Sequence, residues 1–262
     1  MEQYTTGVKA DHSTPLFAFN SFIPKLGLIM FPKAFLIGSI GVVAETSDIQ
    51  RRAYNQALKE AGLSWHWDAE RYRILLQQNG GRDRLRRLSF EKDAGLAEED
   101  VLKIHARKTD IACEEIISKG VPLRPGVTDL FNLAKNRGSK LAFVTTTYRQ
   151  NIDAISEGSH PSFNLDKFEV IMTTDDVDQT KPHPEVYQKA LAALDLSVDD
   201  CLAIEDSKTS LQSAKQAGIK TIVTPGRFTE QQDFSLADGR FRTLSDWYAE
   251  FSKTFADEVG TV

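Results

Sequence analysis

Beyond residue 126, short apolar runs alternate with segments of helical period, and that alternation limits the possible folds more than any other feature of the chain. Residues 140–145, 168–172, 201–204 and 220–223 read as buried strands, with helices at 126–137, 184–193 and 207–218 between them. Strands joined through helices run parallel, because only a long crossover returns the chain to a parallel neighbour. Helices then cover both faces of the sheet. Residues 35–37, apolar and followed by Gly38, supply one more strand. Between that strand and residue 121 lie four helical segments, 48–61, 68–78, 82–91 and 98–119, with no strand among them. Asp68 suits the N-cap of the second, and Gly62, Gly80, Gly81 and Gly120 punctuate the series. The expected fold is α/β. A doubly wound, mostly parallel sheet comes from residues 30–46 and 121–262, a helical cap is inserted at 47–120, and residues 1–29 form an N-terminal extension.

Charge and cysteine usage exclude several classes of function. The net charge is −5, and the most basic stretch, residues 82–87, has helical spacing with Asp83 inside it. It reads as a solvated helix face, so no nucleic-acid partner is expected. Cys113 and Cys201 lie far apart and suggest neither a disulfide framework nor a zinc site, which fits a reducing, cytoplasmic setting. The apolar stretch at 16–31 is interrupted by Asn20, Pro24 and Lys25, so no membrane span is expected. Residues 1–14 carry Glu2 and Asp11 beside one strong base, Lys9, a poor leader composition.

A parallel sheet binds ligands at the carboxyl ends of its strands, and that is where the chemically useful residues fall. Thr145 and Thr146 follow one strand, and Glu205 and Asp206 end another; Lys181 precedes Pro182 and a helix. Singly, each has a plain reading: a threonine after a strand is often a turn residue, and Asp206-Ser207 suits a helix N-cap. Asp176, Asp178 and Thr180 spell Asp-x-Asp-x-Thr after a strand. Three residues separate them from that strand, however, and they run straight into Lys181, so a solvated loop is the better reading.

Taken in order, residues 35–46, 145–147, 181–182 and 205–207 resemble the haloacid dehalogenase-like hydrolases. GGR at 80–82, HARKT at 105–109, LRPGV at 123–127 and HPEVYQKAL at 183–191 narrow the resemblance to the CbbY-like and β-phosphoglucomutase-like branch, over about residues 30–226. It implies action on sugar phosphates through an aspartyl intermediate, with Mg²⁺ neutralising phosphate charge. It also implies residue roles. Thr145, Thr146 and Lys181 hold the phosphate, Glu205 and Asp206 serve the metal, and Arg82 and Lys108 reach from the cap to a second phosphate or to sugar hydroxyls. The bland reading of Arg82 and Lys108 is a pair of solvated helix charges.

One segment departs from the resemblance. The family reads Asp-x-Asp-Gly after its first strand, whereas this chain reads Gly38-Ser39-Ile40-Gly41. Gly38 has no side chain with which to attack phosphorus, and Ile40 carries no proton to transfer. Ser39 is one residue off and points to the other side of an extended chain. Glu45 and Thr46 lie beyond the turn, where the family has similar residues. With one carboxylate gone, Mg²⁺ should bind weakly or not at all. The expected function is that of a sugar-phosphate phosphatase homologue that has lost its chemistry and retains binding of a small phosphorylated metabolite or another anion. Two other readings stand beside it: an active hydrolase with a non-standard site, and a non-catalytic structural or regulatory protein whose partner the sequence does not name. A phosphatase assay with Mg²⁺ separates the first two.

Overall fold

Six parallel strands form one sheet in the order β3-β2-β1-β4-β5-β6. They are β1 (Ala34–Ile37), β2 (Lys140–Val144), β3 (Val170–Met172), β4 (Cys201–Glu205), β5 (Lys220–Val223) and β6 (Gly239–Arg240). The computed structural model describes residues 31–38, 40–77 and 80–254; the N-terminal extension and Ser39 lie outside these residues. Along β1, Phe35 and Ile37 point to one face and Ala34 and Leu36 to the other, the period of two that a strand imposes. The large side chains Phe35, Phe143, Leu202 and Ile204 pack under the helices Val127–Arg137, Arg149–Gly158 and Leu244–Thr254. On the opposite face, Ala34, Ala142 and Ala203 let Glu185–Leu194 and Lys208–Gln216 approach closely. Register carries Ile37 level with Phe143 and Ile204, so the ends of β1, β2 and β4 meet on one line. Gly38 is therefore level with Val144 and Glu205, and Thr145 lies one residue farther along.

The expected helical series is present as Ser47–Glu60, Ala69–Leu75, Gly81–Glu91 and Glu98–Lys119. Asp68 caps the second of these by accepting a hydrogen bond from the Arg71 amide at 2.7 Å. Gln78, the expected end of that helix, lies outside the described residues, which stop being helical at Leu75. The four helices enclose their own apolar cluster of Tyr54, Leu58, Trp67, Tyr72, Leu85, Val101 and Ile104. One member of that cluster comes from elsewhere. Phe228, in the loop after β5, is buried among the cap aromatics with its ring centroid 5.6 Å from that of Tyr72. Around it, the Arg227 amide donates to Glu45, the Arg227 guanidinium pairs with Asp48, and Gln232 donates to the Leu76 carbonyl.

Four elements differ from the sequence expectation. Residues 40–43 form a short helix where the sequence reading has only a loop, and Arg149–Gly158, Leu244–Thr254 and the two-residue edge strand β6 are additions to it. No helix of the described residues is long and apolar enough to cross a membrane.

Candidate functional site

A cavity of about 490 Å³ lies between the carboxyl ends of the strands and the cap helices. Its floor is rich in hydroxyls, from Thr145, Thr146, Thr147, Thr180, Ser207 and Ser210, and Lys181 and Asp206 also border it. From the cap side it receives Gln50, Tyr54, Arg82, Arg84, His105 and Lys108. The structure thus brings Thr145, Thr146, Lys181, Asp206, Arg82 and Lys108 around one space, with Ile40 and Gly41 at its edge. Glu205 and Gly38 lie behind it.

At the floor, Lys181 is fully engaged by the protein itself. Its ammonium donates to the Gly38 carbonyl, to the Val144 carbonyl at 2.9 Å and to Glu205 Oε1 at 2.7 Å. An ammonium has three donors, and here each has an acceptor. Both side chains of the Lys181–Glu205 pair are essentially inaccessible, at 1% and 0%. Tyr187 donates a further hydrogen bond to Glu205 Oε1 at 2.5 Å, and the Lys181 ammonium sits over the Tyr187 ring. Burial raises the Glu205 carboxyl above its ordinary range, and Lys181 pulls it back only in part. Gly38 makes this arrangement sterically possible. A Cβ at position 38 would fall well inside contact distance of Glu205 Oε1 and the Tyr187 hydroxyl. The carboxylate of Glu205 thus occupies the space behind the missing residue-38 side chain.

These residues do not fit a magnesium ion as they stand. Glu205 Oε1 is held by Lys181 and Tyr187, and Oε2 is buried, with no hydrogen-bond partner among the described residues. Asp206 borders the cavity while its neighbour Glu205 does not, and no group of three or more His, Cys, Asp or Glu among the described residues could hold a metal. Magnesium needs carboxylate charge that faces its water shell, and Glu205 faces away from the cavity. Glu45 and Asp176 are placed elsewhere. Glu45 accepts from the amides of Ser47 and Arg227, and Asp176 accepts from the amide and hydroxyl of Thr173 in a capping box.

The cap end has the opposite character, an excess of donors. The Arg82 guanidinium lies over the Tyr148 ring at 5.2 Å, and its buried Nε finds no acceptor among the described residues. Gln50 accepts from Lys108 Nζ at 2.8 Å, which fixes its amide orientation and leaves its buried Nε2 without an acceptor. Lys108 itself sits over the Tyr54 ring at 4.9 Å. Burial first, then the charges of Lys108, Arg82 and Arg84, holds the His105 imidazole down to about 3, so it is neutral at physiological pH. Gln50 and Tyr148 at this end, and Tyr187 at the floor, were not singled out from sequence. Tyr187 lay within a recognised motif, but nothing in the pattern assigned it a role.

Lys108 gives a testable pH dependence. Burial and the neighbouring Arg84 lower its ammonium from 10.5 to about 8. Between those two values the unfolded chain holds more protons at this site than the folded one, so the Lys108 contribution to stability rises with pH across that window. Binding of an anion needs the ammonium form and should weaken above pH 8, with a proton taken up as the complex forms. Calorimetry in buffers of different ionisation heat measures that uptake, and Lys108→Met should remove it.

The family model for haloacid dehalogenase-like hydrolases matches residues 41–224. The chain belongs to this family. Gly38 and Ile40 lie just ahead of the matched segment, so the match rests on the sequence that follows them. Within the family the chain is similar to protein CbbY of Rhodobacter capsulatus, 40% identical over 213 residues that cover 81% of this chain and 94% of that protein. Among solved structures it resembles CbbY from Rhodobacter sphaeroides in complex with phosphate, with a TM-score of 0.76, 35% identity and coverage of 82% of this chain and 96% of that one. A mutant of the same CbbY in complex with xylulose-(1,5)bisphosphate gives a TM-score of 0.75 at 34% identity, with the same coverage of both chains. The CbbY-like resemblance read from the motifs is borne out, and so is the expected α/β architecture.

Proposed function

We propose that this CbbY-like member of the family binds a phosphorylated sugar in the cavity between sheet and cap and does not hydrolyse it. The observation that carries this reading is the filled space at position 38. Glycine supplies no nucleophile, and Glu205 and Tyr187 lie where a side chain would begin. Glu205 is fully buried and hydrogen-bonded, so it cannot reach a phosphorus atom in the cavity as a substitute. Ile40 at the cavity edge leaves the leaving oxygen without an acid. The ligand class follows from the solved relatives, which hold phosphate and xylulose-(1,5)bisphosphate. Hydroxyls on the floor and cations at the cap end suit such a molecule.

The test is phosphate release from a panel of sugar phosphates with Mg²⁺, run beside Asp206→Ala as a contamination control. Turnover is expected to lie about 10⁴-fold or more below ordinary enzyme rates. Binding should still appear as a rise in melting temperature at millimolar phosphosugar. Ordinary turnover that disappears in Asp206→Ala would establish an active hydrolase with a non-standard site. No turnover and no binding would leave a structural or regulatory role as the better account.

A further inference from the structure

We propose that the cavity takes a sugar bearing a single phosphate, held at the cap end, with the uncharged hydroxyl-bearing end of the sugar against the sheet. The inference rests on the phosphosugar-binding reading above and names the ligand class within it. Two sets of observations carry it, one from each end of the cavity.

At the sheet end, the cation that would meet a phosphate is already neutralised. Each donor of Lys181 has a protein acceptor, one of them the carboxylate of Glu205, and the pair is sealed from solvent. A phosphate arriving there would have to break a buried ion pair or settle beside it without a counter-charge. Asp206 adds a carboxylate at the same end, and Arg124, whose charge it feels, does not line the cavity but donates to the carbonyls of Gly41, Thr224 and Pro225. What the floor does present is hydroxyl groups, which both donate and accept and so match the hydroxyls of a sugar.

At the cap end, two buried donors lack acceptors. Arg82 Nε and Gln50 Nε2 are buried donors with no partner among the described residues, and both line the cavity. Lys108 donates to Gln50 and, among the described residues, makes no other side-chain hydrogen bond. A buried donor left without an acceptor is costly, so the ligand that belongs here brings acceptor oxygens and negative charge. One phosphate supplies both. A second, at the far end, would find the floor already neutralised by the protein.

Binding of xylulose 5-phosphate and xylulose 1,5-bisphosphate, each with and without Mg²⁺, tests this by calorimetry. The monophosphate is expected to bind at least as tightly as the bisphosphate, with no more than a twofold effect of Mg²⁺ on either. Arg82→Met should weaken the monophosphate by about tenfold or more. Lys181→Met with Glu205→Leu removes the floor pair as a unit, which avoids leaving one charge buried alone, and should change monophosphate affinity by less than about threefold. Should that double variant fail to fold, the mono- to bisphosphate ratio and the Arg82→Met result decide alone. A bisphosphate bound ten times more tightly, a strong gain with Mg²⁺, or unchanged affinity in Arg82→Met would overturn the inference and leave phosphosugar binding intact. Absence of binding by both sugars would overturn the inference together with the function it rests on.

Discussion

Glu205→Ala should destabilise the fold by about 3–5 kcal/mol, the largest effect expected of any single substitution at the site. The substitution leaves the Lys181 ammonium buried against two carbonyls and no carboxylate. Lys181→Met should cost a similar amount, because Glu205 then loses its cationic partner among the described residues. Removing both charges together should cost far less than the sum, since two apolar side chains of similar volume can replace a buried pair at little net cost. Urea unfolding at an unchanged m-value measures all three. Gly38→Asp tests the same cluster from the other side. In the wild-type background its Cβ meets Glu205 and Tyr187, and two carboxylates compete for one ammonium, so stability should fall. In a background carrying both Glu205→Ala and Tyr187→Phe the two clashing groups are gone, the new aspartate has a cation, and part of the lost stability should return. A Glu205→Ala cost below about 1 kcal/mol would mean that Lys181 does not depend on this carboxylate.

The second large effect is expected far from the floor. Phe228→Ala should cost about 3–5 kcal/mol, the range for deleting a buried aromatic side chain. Phe228 is only 2% exposed and packs against Tyr72, with the guanidinium of Arg73 near its face. Because it arrives from the sheet and ends among the cap helices, part of the loss should appear as cap opening rather than global unfolding. Hydrogen exchange should then accelerate in the cap helices before it does in β1 or β4. Arg227→Ala, one residue away, breaks a pair with Asp48 that is largely exposed, and should cost less than about 1 kcal/mol. Equal losses in the two variants would show that the loop is held by charge and not by the phenylalanine.

The cap helices were legible because they write a period into the sequence, with Ala53, Tyr54, Ala57 and Leu58 recurring on one face, and the strands were legible as short continuous apolar runs, because both faces of a parallel sheet are covered. The placement of Thr145, Lys181 and Asp206 around one space followed from their positions at strand ends. The direction of the Glu205 side chain was not legible. An acid at the end of β4 can face the ligand or turn inward, and the choice depends on the volume left empty at Gly38, on another strand. Local pattern carries no such information. The helix at residues 40–43 was not legible because four residues are too few to show a helical period. The last helix carries a readable stripe in Leu244, Trp247 and Phe251, whereas the edge strand Gly239–Arg240 is too short to show a period. The burial of Phe228 was invisible because a lone aromatic in a loop has no neighbours in sequence to say where it goes.

The path of Phe228 also bears on how such a protein can be taken apart and recombined. A cap inserted between residues 46 and 121 looks like a cassette, exchangeable between relatives by crossing over at two joints. Here the cassette would leave behind one side chain of its own hydrophobic centre, because that side chain is encoded after β5. A chimera carrying a foreign cap would therefore confront Phe228 with a surface not shaped for it, while the transplanted helices would carry an aromatic-sized hole into their new host. The heritable unit is two separated stretches of sequence, the helical insert and the loop around Phe228, and recombination that moves only one of them should yield poorly folded progeny even when both parents are stable.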